Sequence, residues 1–293
     1  MYQSILVPLD GSVFSAAALP VAAAFARRTG AELHLVTIYD PSAFLNFAPG
    51  RIGMPSFTPT TVDEECRNLL ASVQEQAASI TNTGLKATGT LLEGTIVEAL
   101  AEHAEATNAS LVIMTTHGRS GIDRLRLGSV ATSFLSRSPV PVFLVRPTGA
   151  DAPQAGHELP TGTLLVPLDG SPFAKGILQH AVPFANALGL SLELVSAGAA
   201  NDAQTNHNYL ERVASDLKPA PAIAPKITVL SAPSAARALV DYAAETHPGA
   251  LAMATHGRSG IVRLVLGSVM ESVLTGVNQP LLVYRPVSDA PSA

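Results

Sequence analysis

The segment Leu6-Val7-Pro8-Leu9-Asp10-Gly11-Ser12 occurs a second time without change, as Leu165 to Ser171. An apolar run that ends in Pro-Leu-Asp-Gly-Ser is typical of a buried strand that passes through a turn into a helix. A second segment, Thr116 to Ile122 (THGRSGI), recurs as Thr255 to Ile261. Because both segments keep their order, the chain is predicted to contain two copies of one domain.

The spacing of the repeats predicts where the two copies begin and end. The offset is 159 residues at the first segment and 139 at the second, so the second copy is shorter by 20 residues. The first copy alone carries Pro41 to Pro59, rich in Pro, Gly, Ser and Phe, which is predicted to be a long loop. Residues 149–161 are polar and rich in Gly and Pro, as in a linker. We therefore predict domains at 1–148 and 162–288, followed by a tail at 289–293.

Each copy has the pattern of an α/β fold. Runs of Val, Ile and Leu alternate with longer Ala-rich stretches at helical spacing, which is typical of βαβ units. Helices are predicted to begin near Ser12, Thr61, Gly94 and Gly128. The predicted fold is two tandem doubly wound domains, each a five-stranded parallel sheet with helices on both faces. The predicted strands of the first copy are Ser4 to Leu9, Glu32 to Ile38, Lys86 to Leu92, Ser110 to Thr115 and Val140 to Arg146.

Composition restricts the partners and the compartment. The chain of 293 residues is 47% hydrophobic and 14% charged, which is enough apolar material for two cores. Its formal net charge is -5 and its basic residues are scattered, so we expect no nucleic-acid partner. The start of the chain, MYQSILVPLD, lacks the basic region of a secretory signal, and the most apolar stretch, Ala16 to Ala26, is too short to span a membrane. With one cysteine, Cys66, and thus no intramolecular disulfide, the expected location is the cytoplasm, with no membrane partner.

Two segments of each copy are candidates for a ligand site. An open doubly wound sheet binds ligands beyond the carboxyl ends of its strands. In the first copy, Asp10 ends the first strand, and the loop after the fourth strand closes on Gly128 and Ser129. Phosphates favour a helix amino end bordered by glycine, which points to Gly118, Gly128 and Ser129. A carboxylate repels a bare phosphate, so Asp10 is predicted to accept from ribose or base, or to hold Mg²⁺ beside the phosphates; Asp169 repeats it.

Simpler interpretations of the same residues stay open. Asp10 and Asp169 are also compatible with a role limited to capping the following helix, and Ser129 and Ser268 with caps that need no ligand. The sequence contains no Walker A lysine motif, no nucleophile with an adjacent base and no metal-ligand cluster. We therefore expect a protein that binds a mononucleotide rather than an enzyme, with slow hydrolysis at most.

The glycine loops carry a family resemblance. Thr115-Thr116-His117-Gly118, nine residues and Gly128-Ser129 are similar to the signature of the universal stress protein family: Gly, two residues, Gly, nine residues, Gly and Ser or Thr. The second copy has Ala254-Thr255-His256-Gly257, nine residues and Gly267-Ser268. Together with the repeated Pro-Leu-Asp-Gly-Ser, the chain resembles a tandem universal stress protein over nearly its whole length. One departure is that Thr115 and Ala254 put a Cβ where the signature has its first glycine.

The resemblance implies a fold, a ligand and a pairing. The implied fold is of the adenine nucleotide alpha hydrolase-like (HUP) type with strand order 3-2-1-4-5, and the implied function is ATP or AMP binding in a stress response. The alternative is an interaction or dimerisation module of the same fold with closed pockets. The resemblance also implies pairing through the fifth strands, so we expect Val140 to Arg146 to dock antiparallel against Pro280 to Arg285, with a homodimer of tandem chains as a further form. The implied binding residues are Pro8, Leu9, Asp10, Ile38, Met114, Thr115, Gly118, Gly128, Ser129 and Val130 in the first copy and Pro167, Leu168, Asp169, Ala197, Met253, Ala254, Gly257, Gly267, Ser268 and Val269 in the second.

Overall fold

The computed structural model describes residues 2–41, 59–116, 127–146, 159–218, 220–255 and 266–286. The first half of the chain alternates strands with helices, as the apolar pattern predicts. Its elements are β1 (Ser4–Pro8), α1 (Val13–Ala16), α2 (Ala18–Thr29), β2 (Glu32–Tyr39), α3 (Pro59–Thr81), β3 (Ala87–Glu93), α4 (Ile96–Ala106), β4 (Leu111–Thr115), α5 (Ser129–Leu135) and β5 (Val142–Val145).

The second half repeats this order. Its elements are β6 (Thr163–Pro167), α6 (Pro172–Lys175), α7 (Leu178–Leu188), β7 (Ser191–Gly198), a 3-10 turn (Ala200–Asp202), α8 (Ala203–Ser215), β8 (Lys226–Ser231), α9 (Ala235–Thr246), β9 (Ala250–Ala254), α10 (Ser268–Gly276) and β10 (Leu281–Tyr284). None of the helices in the described ranges is long and apolar enough to cross a bilayer.

All ten of these strands form one sheet, in the order β3-β2-β1-β4-β5-β10-β9-β6-β7-β8. Each half therefore has the order 3-2-1-4-5, and the predicted fold class is confirmed. Neighbouring strands run parallel within each half, whereas β5 and β10 meet antiparallel, with Leu281 opposite Leu144 and Leu282 opposite Phe143. We call this junction the seam. Because the direction of the strands reverses at the seam, the carboxyl ends of the two halves lie at opposite edges of the sheet.

Helices cover both faces of the sheet, so the strands are apolar on both sides. One core contains Phe25, Phe143 and Phe184, and the other contains Phe134 and Leu281. Both cores draw residues from both halves of the chain. The hydrophobic interior is thus continuous across the seam.

Local sequence explains where elements stop. The first helical stretch divides into α1 and α2 at Ala17, and the equivalent stretch of the second half divides in the same way into α6 and α7. Gly30 ends α2 with φ at 74°, a left-handed conformation that favours glycine. The last strand begins at Val142 rather than at the predicted Val140, because Pro139 and Pro141 disfavour a paired strand there. The predicted loop from Pro41 to Pro59 lies almost wholly outside the described residues.

Candidate functional site

A cavity of about 360 Å³ lies at the carboxyl ends of β1, β2 and β4. Its wall is built from four backbone segments, 8–10, 37–40, 114–116 and 128–131. These segments end the three strands and open α5, which is where an open doubly wound sheet offers its ligand site. The first half therefore presents a preformed hollow of ligand size at the expected edge.

A second cavity of about 360 Å³ occupies the equivalent place in the other half. Its wall includes 167–169, 253–255 and 267–270, the counterparts of three of the segments around the first cavity. Since the seam reverses strand direction, the two cavities open at opposite edges of the sheet. They are two separate sites, too far around the molecule to share one small ligand.

The structure brings together the residues that the resemblance implies for each site. Gly118 and Gly257 lie outside the described residues. The others line the cavities: Pro8, Leu9, Asp10, Ile38, Met114, Thr115, Gly128, Ser129 and Val130 in the first, and Pro167, Leu168, Asp169, Ala197, Met253, Ala254, Gly267, Ser268 and Val269 in the second. Their role in binding remains a prediction.

Asp10 is fixed at the end of β1 by short local hydrogen bonds. Its Oδ1 accepts from the N–H of Ser12 at 3.0 Å and from the hydroxyl of Ser12 at 2.6 Å. The Oγ of Ser12 in turn accepts from the N–H of Ser15 at 3.1 Å and caps α1. The helix cap is therefore Ser12, and the interpretation of Asp10 as the cap itself is wrong.

Asp169 repeats the arrangement in the second half. Its Oδ1 accepts from the N–H of Ser171 at 2.9 Å, and Ser171 caps α6 by accepting from the N–H of Ala174 at 3.1 Å. In both halves the aspartate orders the residue that begins the helix while its carboxylate lines the cavity. Asx-type bonding of this kind holds a carboxylate in one orientation without removing it from the cavity wall.

On the other side of the first cavity, Gly128 precedes α5. Its N–H donates to the carbonyl of Thr116 at 2.8 Å, and the N–H of Thr116 donates to Val145 at 3.0 Å. The N–H of Gly128 is thus already paired within the protein, and the part of Gly128 in phosphate binding stays a prediction. The first bond of the helix runs from Thr132 to Gly128, at 2.9 Å, so the N–H groups of residues 129–131 precede the intrahelical pattern. These three residues line the cavity.

The second half has the same local geometry. The N–H of Gly267 donates to the carbonyl of Thr255 at 3.0 Å, and Thr255 donates to Tyr284 at 2.9 Å. Gly128 and Gly267 hold the cap positions and show no side-chain capping bond, so the interpretation of Ser129 and Ser268 as helix caps is wrong. Each serine is the first residue of its helix.

Thr115 and Ala254, which replace the first glycine of the signature, end β4 and β9. Their exposed fractions are 6% and 8%, and both contribute to the cavity walls. Each Cβ is accommodated while the cavity behind it stays open. The departure from the signature therefore does not close either site.

The sequence did not reveal the part of the first wall that comes from helices. Glu65 and Leu69 of α3 and Ile96 and Leu100 of α4 also line the first cavity. The sequence predicts the apolar face of each helix, but it does not predict which turn of that face lines the cavity. Thr37 was missed as well; its buried hydroxyl donates to the carbonyl of Leu9 at 3.1 Å and ties β2 to the loop of Asp10.

The two cavities differ in chemistry at the end near the second strand. Ile38 and Ile96 line the first cavity, where Ala197 and Ala235 stand in the second. The first cavity also has Asp40 and Glu65 in its wall, whereas Asp169 is the one carboxylate among the described residues that line the second. A common ligand would meet more apolar surface and more negative charge in the first half.

The fold and site define a class: tandem doubly wound α/β domains with a preformed ligand cavity at the edge where strand connections change direction. The chain belongs to the universal stress protein family, whose family model matches residues 1–146 and again residues 161–285. The tandem arrangement is thus shown by two matches in one chain.

Relatives match the chain over nearly its whole length or over about half of it. Universal stress protein Rv2005c of Mycobacterium tuberculosis is 26% identical over 300 residues, which cover 97% of this chain and 97% of that protein. Universal stress protein MJ0531 of Methanocaldococcus jannaschii is 30% identical over 151 residues, covering 50% of this chain and 83% of the relative. The crystal structure of a universal stress protein from Archaeoglobus fulgidus has a TM-score of 0.72 at 21% identity and covers 97% of this chain and 99% of that chain, a likeness of fold.

Proposed function

We propose that the protein binds an adenine nucleotide, ATP or AMP, in each of its two cavities and acts in a stress response without rapid catalysis. The observation that carries the proposal is the duplication of one cavity, about 360 Å³ in each half, with an aspartate on one wall and a Gly-Ser helix start on the other. A cavity of this volume is in the range of small-molecule sites.

The wall chemistry supports an order for the parts of a nucleotide. The phosphates are placed beside the N–H groups of residues 129–131, which precede the intrahelical bonds of α5. The ribose hydroxyls are placed at the carboxylate of Asp10, and the base lies among the apolar side chains of Ile38 and Ile96. The second site has the same order, with Asp169 at the ribose and Ala197 and Ala235 around the base.

Magnesium enters the proposal only with the nucleotide. Among the described residues no three His, Cys, Asp or Glu side chains come together as a metal site. Asp10 and Asp169 each supply one carboxylate at the cavity wall. Mg²⁺ is commonly held by one or two carboxylates and the phosphates of a substrate, which fits one aspartate with a triphosphate.

We also propose a setting for the chain. Its domains are placed at 1–148 and 162–288, and the seam is taken to hold the two halves together in solution, with or without a further homodimer. The proposed location is the cytoplasm. The ligand is a free nucleotide rather than a nucleic acid, since a net charge of -5 gives no attraction for a phosphodiester backbone.

Analysis of the protein as purified tests the proposal. Denatured protein should release ATP, ADP or AMP into the supernatant, and the apo protein should regain them from solution. Release of no adenylate, together with no uptake of added adenylate, contradicts nucleotide binding.

A second candidate function is an interaction module whose work does not need a ligand. The internal pairing of the Gly128 and Gly267 N–H groups favours it, because those donors are already used. A strain carrying Gly128→Val and Gly267→Val in the same chain separates the two. Loss of stress survival together with loss of binding supports the nucleotide, whereas unchanged survival supports the module.

A further inference from the structure

The centre of the seam pairs a large side chain with a smaller one. Phe143 of β5 lies directly opposite Leu282 of β10, and both side chains are fully buried in the same core. The two positions are equivalent in the two halves, at the offset of 139 residues. They therefore lie where an exact copy of one half would have to place identical side chains against each other.

Aromatic rings fill the space around this pair. The ring centroids of Phe143 and Phe184 are 4.9 Å apart, and those of Phe184 and Phe25 are 5.5 Å apart. Phe25 and Phe184 are also equivalent residues, at the offset of 159. Tyr2 adds an edge-on contact to Phe25 at 5.1 Å, and Thr161 stands at its equivalent position. Four aromatic rings and Leu282 thus belong to one close-packed core at the centre of the seam.

We propose that this face of the first half is built to select the second half and to reject another copy of itself. If two first halves met in the same register, Phe143 would face Phe143 with Cβ atoms about 5 Å apart. A ring would then have to enter the volume that Leu282 now fills. Added atoms in a filled core force side chains out of their preferred rotamers.

Pairing of two second halves fails for the opposite reason. Leu282 would face Leu282, and Thr161 would stand on both sides where Tyr2 now packs on one. The space that the rings of Phe143 and Tyr2 now fill would be empty, and the side chains around it would lose van der Waals contacts. The surface thus discriminates by fit: its partner is the second half, from the same chain or from a second copy.

The substitutions Phe143→Leu and Leu282→Phe test the fit in the full-length chain. Phe143→Leu imitates the seam of two second halves and Leu282→Phe that of two first halves. Each is expected to lower the Tm by about 3–10 °C. The double variant moves the ring across the seam, where it meets Phe25 as Phe143 now meets Phe184, so the Tm should return to within about 3 °C of wild type.

A matched control separates fit at the seam from general effects of size. Leu192 is buried in β7, away from the seam, so Phe143→Leu combined with Leu192→Phe should show no recovery. If the losses of Phe143→Leu and Leu282→Phe simply add in their double variant, the proposal is overturned. It is overturned equally if Leu282→Phe leaves the Tm unchanged.

A cysteine trap in a Cys66→Ser background identifies the partner directly. Leu144→Cys with Leu281→Cys joins positions that lie opposite each other at the seam, so oxidation should link the first half to the second. Val142→Cys with Leu144→Cys would be linked only if two first halves paired, because Val142 is the equivalent of Leu281. A disulfide in the first variant and none between chains in the second is the expected result. Dimers of the second variant, or no link in the first, contradict the proposal.

Discussion

Arg146, the residue after β5, donates a hydrogen bond from its guanidinium to the backbone oxygen of Leu274 in the last turn of α10. The contact joins the first half of the chain to a helix of the second. Carbonyls in the last turn of a helix lack partners within it, and a cation there is favoured by the helix dipole. Burial lowers the pKa of Arg146, and a guanidinium stays protonated in proteins. The guanidinium thus forms a charged hydrogen bond that links the two halves of the chain.

Removing the hydrogen bond from Arg146 to Leu274 should weaken the association of the two halves. Arg146→Met keeps most of the aliphatic stem and removes the donor, so the free energy of unfolding should fall by about 1–3 kcal/mol. Arg285 is the equivalent residue, and its side chain forms no hydrogen bond with the described residues. Arg285→Met should therefore lower the free energy of unfolding by less than about 1 kcal/mol. Denaturant unfolding of both variants measures the difference; equal losses would show that the bond to Leu274 adds nothing.

His180 of α7 gives the stability of the protein a dependence on acid. Its ring lies 4.1 Å, centroid to centroid, from that of Tyr284, and its Nε2 is buried. Burial lowers the pKa of His180 from 6.5 to about 4. The unfolded chain therefore takes up a proton below pH 6.5 that the folded chain refuses until about pH 4. The neutral ring stabilises the fold fully above pH 6.5, and this contribution, up to about 3 kcal/mol, is lost as the pH falls to about 4.

The substitution His180→Phe keeps a ring against Tyr284 and removes the titration. Between pH 6.5 and pH 4 its free energy of unfolding should fall less steeply than that of the wild type. Thr205→Ser, at an exposed residue of α8 that carries no titratable group, serves as the control and should leave the slope unchanged. Parallel pH profiles for wild type and His180→Phe would disprove the assignment.

The two sites should differ in affinity because their apolar walls differ. Ile96→Ala gives the first cavity the residue that the second has at Ala235, and should weaken nucleotide binding at the first site by about 3–10-fold. Ala235→Ile should tighten the second site by a similar factor. Calorimetric titration of each variant measures the two affinities. If neither substitution changes the affinity of its site, the base does not lie against residues 96 and 235.

Glu193 holds a buried polar cluster in the second half. Its Oε1 accepts from Tyr242 at 2.6 Å and Thr228 at 2.7 Å, and pairs with Lys226 at 2.9 Å. Glu193→Leu leaves two hydroxyl groups without their acceptor and should cost about 2–4 kcal/mol of stability, whereas the ammonium of Lys226 keeps the hydroxyl of Tyr242 as an acceptor at 3.2 Å. Lys226→Met should cost under about 1 kcal/mol, since that side chain is 65% exposed. Urea unfolding measures the free energy of unfolding of both variants. A larger loss of stability for Lys226→Met than for Glu193→Leu would refute this ranking.

The fold was predictable because its signal is local and repeated. The apolar runs at Leu6 and Leu165 each form a strand that is buried except at one residue, and the offset between them already separates the halves. The seam was expected only through the family resemblance. Its packing could not be foreseen, because the match of Phe143 with Leu282 depends on which residues a register brings together.

The site was predictable to the extent that it lies on strand ends and glycine loops. Asp10 and Ser129 follow directly from motifs in the sequence. Glu65 and Ile96 did not, since a helix contributes one turn of its face and the turn is set by how the helix packs. The helix start near Ser12 was also predicted, although the sequence left open whether Asp10 or Ser12 caps the helix, because either residue type can do so.

Calorimetric titration of the apo protein with ATP tests the central claim most directly. Gly128 and Gly267 have φ near -60° and ψ near 150°, which valine adopts without strain, so Gly128→Val and Gly267→Val should each obstruct one cavity and leave the fold intact. We predict that the wild-type chain binds two ATP molecules, each single variant one and the double variant none. The control Ser133→Val should bind two. No heat with the wild type, or an undiminished stoichiometry in the double variant, would contradict it.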